Sequence, residues 1–156
     1  MAEFSMTVSA AQGATRVKMA GVITESVDLD ADKIPTGMPV LIDTAQINHM
    51  NSLGVRNWIL FMEALCARTP SVSLENLSPM MVFQASMIST FLGGAKVRTY
   101  QSPWVCEECD HMTVMTHQLQ DAIPETIACS KCKAPMEFDS DLDSYQSFRY
   151  QAAQQV

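Results

Sequence analysis

Two pairs of cysteines limit what this chain can fold into more than any other feature. Cys106-Glu-Glu-Cys109 and Cys129-Ser-Lys-Cys132 are C-x2-C pairs with 19 residues between them. That is the ligand number and spacing of a closed tetrahedral zinc site, in which each pair forms a knuckle holding two corners. The chain between the pairs suits a ribbon. Met112 and Val114 alternate with Thr113 and Met115, Ile123 to Ile127 leads back to the second knuckle, and Met136 and Phe138 make a closing strand. A module of about forty residues with so few large apolar side chains needs a staple to fold. A structural zinc contributes on the order of 10 kcal/mol to such a module. The expected cofactor is therefore one structural Zn2+ per chain, held by Cys106, Cys109, Cys129 and Cys132, with no open coordination position. His111 and His117 are then surplus, at the surface or behind the ligands.

Two other chemistries use the same residues. Trp104-Val-Cys-Glu-Glu-Cys is similar to the opening of a thioredoxin-type redox site, although there the motif starts an apolar helix and here it starts an alternating strand. Two structural disulfides are the other alternative, which a cytosolic setting disfavours. The fifth cysteine, Cys66, falls on an apolar helical stripe and reads as a buried, inert thiol.

A chain of 156 residues can bury one ordinary core, or one core plus a small stapled module. With 47% apolar and 17% charged residues it is globular rather than disordered. The N-terminus has neither the basic cluster nor the apolar run of a signal peptide, and no apolar run reaches the roughly 18 residues of a membrane span. The expectation is a cytoplasmic protein with no membrane partner. Residues 1–104 hold 7 basic and 8 acidic side chains, whereas residues 105–156 hold 3 and 9. An acidic C-terminal third repels phosphate backbones, which makes nucleic acid an unfavourable partner.

The rest of the chain reads as α/β. Phe4 to Val8 and Arg16 to Ile23 alternate about a Gly13 turn and predict a hairpin. Residues 24–38 read as a loop with at most one helical turn. Val40-Leu41-Ile42, closed by Asp43, is a short buried strand. Val55, Trp58, Ile59, Met62, Leu65 and Cys66 then mark one face of a helix that Thr69-Pro70 stops. Val72 and Leu74 suggest another strand. Ser78-Pro79 caps a second helix, with Met80, Phe83, Met87, Ile88 and Phe91 as its apolar stripe and Gly93-Gly94 as its end. Lys96 to Gln101 reads as the last strand of this unit. The expected fold class is a small α/β sandwich with a mixed sheet, followed by a zinc ribbon. The expected boundaries are 1–103 for the α/β domain, 104–140 for the ribbon and 141–156 for a tail with a short docked helix and a frayed end.

The strand ending in Asp43, then Met50-Asn51-Ser52-Leu53-Gly54-Val55 opening an amphipathic helix, resembles the STAS domain of bacterial anti-sigma factor antagonists. The resemblance covers roughly residues 4–101 and leaves the ribbon as an appended module. It implies a non-enzymatic regulator, switched when a partner serine kinase phosphorylates the Ser at the helix start. By residue match that is Ser52, with Asn51, Leu53, Gly54 and Arg56 forming the partner surface. A phosphate there meets unpaired N–H groups and adds about two negative charges to a docking surface. The chain departs from the family pattern at Asn51, where the family has an acid, at Arg56, where a small residue is common, and at 24–38, where its usual first helix is broken. On residue grounds alone Ser52 is equally a plain N-cap. No catalytic constellation is evident. The implied function is binding a protein partner, such as an anti-sigma-like factor. The alternatives are a zinc-ribbon module on the transcription machinery or nucleic acid, and a thiol or zinc redox sensor.

Overall fold

A computed structural model describes residues 3–155 of the chain. Strands β1 (Ser5–Ala11) and β2 (Ala14–Ile23) form the expected antiparallel hairpin, closed at Gly13. Residues 24–38 contain only a single 3-10 turn, Ala31–Lys33. β3 (Val40–Met50), α1 (Ser52–Arg68), β4 (Val72–Glu75), α2 (Pro79–Met87) and β5 (Lys96–Val97) follow. The sheet order is β1-β2-β3-β4-β5, with β2 to β5 parallel and only β1 reversed. This is a mixed sheet of the kind that strand–helix alternation dictates.

One face of the sheet is the core. Val17, Met19 and Ile23 of β2, Ile42 and Ile47 of β3, and Leu74 of β4 are buried with Trp58, Met62 and Leu65 of α1. Each such aliphatic side chain contributes about 1.5–3 kcal/mol by leaving water. The opposite face is more polar, and Arg16 Nη2 reaches over β3 to Glu75 Oε1 at 2.6 Å.

β6 (Thr99–Val105), β7 (Met112–Gln118), β8 (Ile127–Ala128) and β9 (Pro135–Phe138) make a second, antiparallel sheet in the order β7-β6-β9-β8. The tail forms α3 (Leu142–Ala153), capped by Asp141. Its Tyr145, Phe148 and Ala152 are buried in the main core, where Gln151 Nε2 also donates to the Ser86 carbonyl of α2. Tyr145 Oη donates to the Gln101 carbonyl at 2.7 Å, and the Phe138 and Tyr145 rings meet edge-on at 5.1 Å. α3 thus ties the two sheets together.

Several local expectations change. β3 does not end at Asp43 but runs to Met50, because β2 continues to pair with it after β4 has stopped. α2 stops at Met87, before the expected Gly93-Gly94 end; it buries Met81, Val82 and Ala85 and leaves Phe83 and Met87 of the predicted stripe exposed, while Phe91 is buried beyond the helix. The predicted last strand breaks at Arg98, with β5 staying in the first sheet and β6 starting the second. β6 runs through the expected 103/104 boundary without interruption. Of the two places expected for His117, the surface is excluded: it is buried, and its Nε2 lies 2.6 Å from Ser102 Oγ, which also accepts from Trp104 Nε1.

Candidate metal centre and partner-binding turn

The four cysteines converge. Cys106 ends up just after β6 and Cys109 in the turn before β7, while Cys129 and Cys132 form the turn between β8 and β9. Their four sulfurs all lie within 4.8 Å of one another. The Cys106–Cys132 and Cys109–Cys129 sulfurs are 3.4 and 3.7 Å apart, so the close contacts run between the knuckles. Four thiolates at about 2.3 Å from a tetrahedral ion stand roughly 3.8 Å from one another. The donor set and spacing therefore fit a metal ion.

The two knuckles repeat one backbone pattern. Cys106 N–H donates to the His111 carbonyl and Asp110 N–H to the Cys106 carbonyl, both at 2.8 Å. Cys129 N–H donates to Ala134 at 2.8 Å and Lys133 N–H to Cys129 at 2.9 Å, the same offsets. Asp110 and Lys133, the residues after each pair, both sit at positive φ, 61° and 68°. That left-handed turn aims both sulfurs of a knuckle inward, and neither position carries the glycine that would have advertised it. Backbone N–H groups of Cys132 and Lys131 pull the Cys129 thiol down to about 6. The His111 N–H also pulls on Cys109, but desolvation and the three other sulfurs leave it pushed up to about 12. Ionised thiolate is thus favoured unequally within the cluster, and a bound cation favours it at all four positions.

The surroundings are acidic. Glu107, Glu108, Glu125 and Glu137 line a recess of about 900 Å3 beside Cys132. Glu107 is pushed up in pKa by its contact with the Glu137 carboxyl and by the repulsion between them. Such a rim disfavours phosphate.

The other predicted site lies at the start of α1. Asn51, not Ser52, is the N-cap: its Oδ1 accepts from Gly54 N–H at 2.7 Å. Ser52 is the first helical residue and is exposed, as are Leu53 and Arg56. Gly54 is buried because α1 starts against the end of β2. A Cβ there would fall 2.0 Å from the Ile23 carbonyl oxygen, so only glycine lets the helix approach this closely. The turn therefore brings Ser52, Leu53 and Arg56 to one surface and gives Asn51 and Gly54 to the fold.

One participant was not predicted. Glu25, from the loop after β2, accepts from Asn51 Nδ2 at 2.6 Å, and this bond holds its carboxyl below the usual range. An ionised carboxylate is thereby pinned beside Ser52, next to the position where the STAS-like pattern places an acid. The contact spans 26 residues, and no local pattern announces it. Cys66 is half-buried, and burial pushes its thiol up, as expected of an unreactive residue. Comparison of the chain with protein-family models, curated proteins and solved structures finds no match. Among the described residues, no helix is long and apolar enough to cross a membrane.

Proposed function

We propose that this is a non-enzymatic, cytoplasmic regulatory protein of STAS-like architecture that binds a protein partner through the Ser52 turn and α1. The observation that carries this reading is that the Ser52 side chain makes no hydrogen bond among the described residues. Asn51 performs the capping, which leaves the Ser52 hydroxyl exposed at the positive end of a 17-residue helix. Leu53 and Leu60, half-exposed on the same helix, supply apolar contact area, and Arg56 supplies a charge. Phosphorylation of Ser52 would set a second anion beside the pinned Glu25 carboxylate and repel an acidic or apolar partner. Phosphopeptide mapping of the chain isolated from its own cells tests the switch, with phosphate on Ser52 as the expected result. Ser52 unmodified in every growth phase would count against it.

The metal in this reading is Zn2+, with Cys106, Cys109, Cys129 and Cys132 as its ligands. Four sulfur donors select a soft ion, and a closed four-thiolate shell serves folding rather than chemistry. When bound, zinc supplies the cross-link that the small second core of Trp104, Cys106, Cys129 and Met136 lacks. Elemental analysis of purified protein is expected to return one zinc per chain. A value near zero under reducing, chelator-free purification would end this assignment.

A further inference from the structure

Every charged residue lining one groove of this acidic chain is an arginine. The groove holds about 490 Å3 and opens where β5 passes into β6, between the loop after β7 and the end of α3. Arg98, from the break between the two strands, and Arg149, from α3, both line it, and no Asp or Glu does. The residue numbers favour the opposite. The chain holds 10 basic and 17 acidic side chains, and residues 105–156, which supply most of this wall, hold 3 and 9. Asp121, next in the chain after Gln120, stays out of the wall.

Backbone contacts bring the two guanidiniums together and leave them without a counter-charge. Leu119 N–H donates to the Arg98 carbonyl at 3.1 Å, which closes the strand break against the loop after β7. Arg149 Nε and Nη2 donate to the Leu119 and Gln120 carbonyls at 3.1 and 2.9 Å. Two neutral acceptors thus orient the fork without neutralising it. Among the described residues the ion pairs are Arg16–Glu75, Lys33–Asp28 and Arg68–Asp32, and none takes Arg98 or Arg149. Ala153 brings the negative end of α3 to the groove, but the last carbonyls are engaged there. Gln154 and Gln155 N–H groups donate to the Gln151 and Ala152 carbonyls at 3.1 Å.

We propose that this groove binds a small molecule through a carboxylate or phosphate group, with Arg98 and Arg149 as the cations that grip it. A planar guanidinium matches either group with paired hydrogen bonds, so the charge and the donor geometry both select an oxyanion. The size calls for more than a bare ion. A volume of about 490 Å3 is that of a small-molecule cleft, and Val97, Leu119 and Ala153 give its wall an apolar part for the body of the ligand. Gln118 and Gln120 add amides for neutral polar groups. None of these residues belongs to the Ser52 surface or to the cysteine cluster, so the site is independent of both.

Titration of the metal-loaded full chain with benzoate, phenyl phosphate and neutral benzamide, followed by amide chemical shifts, tests this. The three probes share one ring and differ in charge and head group. At least one of the anions is expected to move the Gln118, Leu119 and Gln120 signals saturably, with a dissociation constant of about 1 mM. Benzamide is expected to bind at least about tenfold more weakly. The tighter of the two anions tells a carboxylate ligand from a phosphate one. Arg98→Gln is expected to weaken anion binding about tenfold and to leave benzamide unchanged. Arg149 also ties α3 to the loop, so the decisive substitution is placed at Arg98, which makes no ion pair among the described residues. Three results would each overturn the proposal: no saturable shift with either anion up to about 20 mM, benzamide binding as tightly as the anions, or anion binding unchanged in Arg98→Gln.

Discussion

At the scale of single residues, the start of α1 separates structure from function within four positions. Asn51→Ala removes the cap and the Glu25 bond and is expected to cost about 1 kcal/mol. Ser52→Ala, which disturbs no hydrogen bond among the described residues, should stay within about 0.5 kcal/mol of wild type. Gly54→Ala drives a methyl group into the Ile23 carbonyl and is expected to cost about 3 kcal/mol. Urea denaturation midpoints of the three variants check this ranking, and a Ser52→Ala as damaging as Asn51→Ala would return Ser52 to a capping role. His117 gives a pH signature. Burial pulls its pKa below 6.5, so the folded chain favours neutral imidazole and the unfolded chain takes up the proton first. The His117 contribution is full above pH 6.5 and is lost as pH falls from there through the folded pKa. In the metal-loaded protein, His117→Gln is therefore expected to flatten the stability decline below pH 6.5 relative to wild type.

At the scale of elements, the two tryptophans report on different cores. Trp58 packs with Phe61 and Phe91 under the first sheet, and Trp104 sits against Phe138 in the second. Chelation is expected to shift Trp104 emission to the red, most clearly in a Trp58→Phe background, because the small core cannot hold without its cross-link. Trp58 emission should hold until the first sheet melts. An unshifted Trp104 in protein proven metal-free would show that the second sheet folds without the ion.

Legibility followed locality. The hairpin, the strand–helix alternation and the Ser78 cap could be read because period and cap chemistry lie within a few residues; Ser78 Oγ indeed accepts from Met81 N–H. The cysteine cluster was legible because its spacing encodes its geometry. The core face of α2 was misread because Met80, Phe83 and Met87 form one apolar stripe and Met81, Val82 and Ala85 another, and nothing local chooses between them. The extension of β3 to Met50 depends on pairing with β2, and the bond from Glu25 to Asn51 on folding the loop back; neither has a local signature. At the α1 start, Asn and Ser are both good caps, and only the backbone shows which one serves.

At the scale of the whole molecule, a mixed sheet and a thiol-clasped antiparallel sheet are joined at Arg98, where β5 passes into β6, on one side and through α3 on the other. Arg149 strengthens the second link, donating to the Leu119 and Gln120 carbonyls in the loop after β7. In this account the clasped sheet and α3 complete the scaffold, and the Ser52 turn meets the partner. The central claim is that Ser52 governs that meeting. Quantitative affinity capture from the native cell, with wild type, Ser52→Ala and Ser52→Asp in parallel, tests it most directly. The account predicts that Ser52→Ala retains the wild-type partner and that Ser52→Asp retains about tenfold less of it, a loss of about 1.4 kcal/mol. Equal retention of the same partner by all three would contradict it.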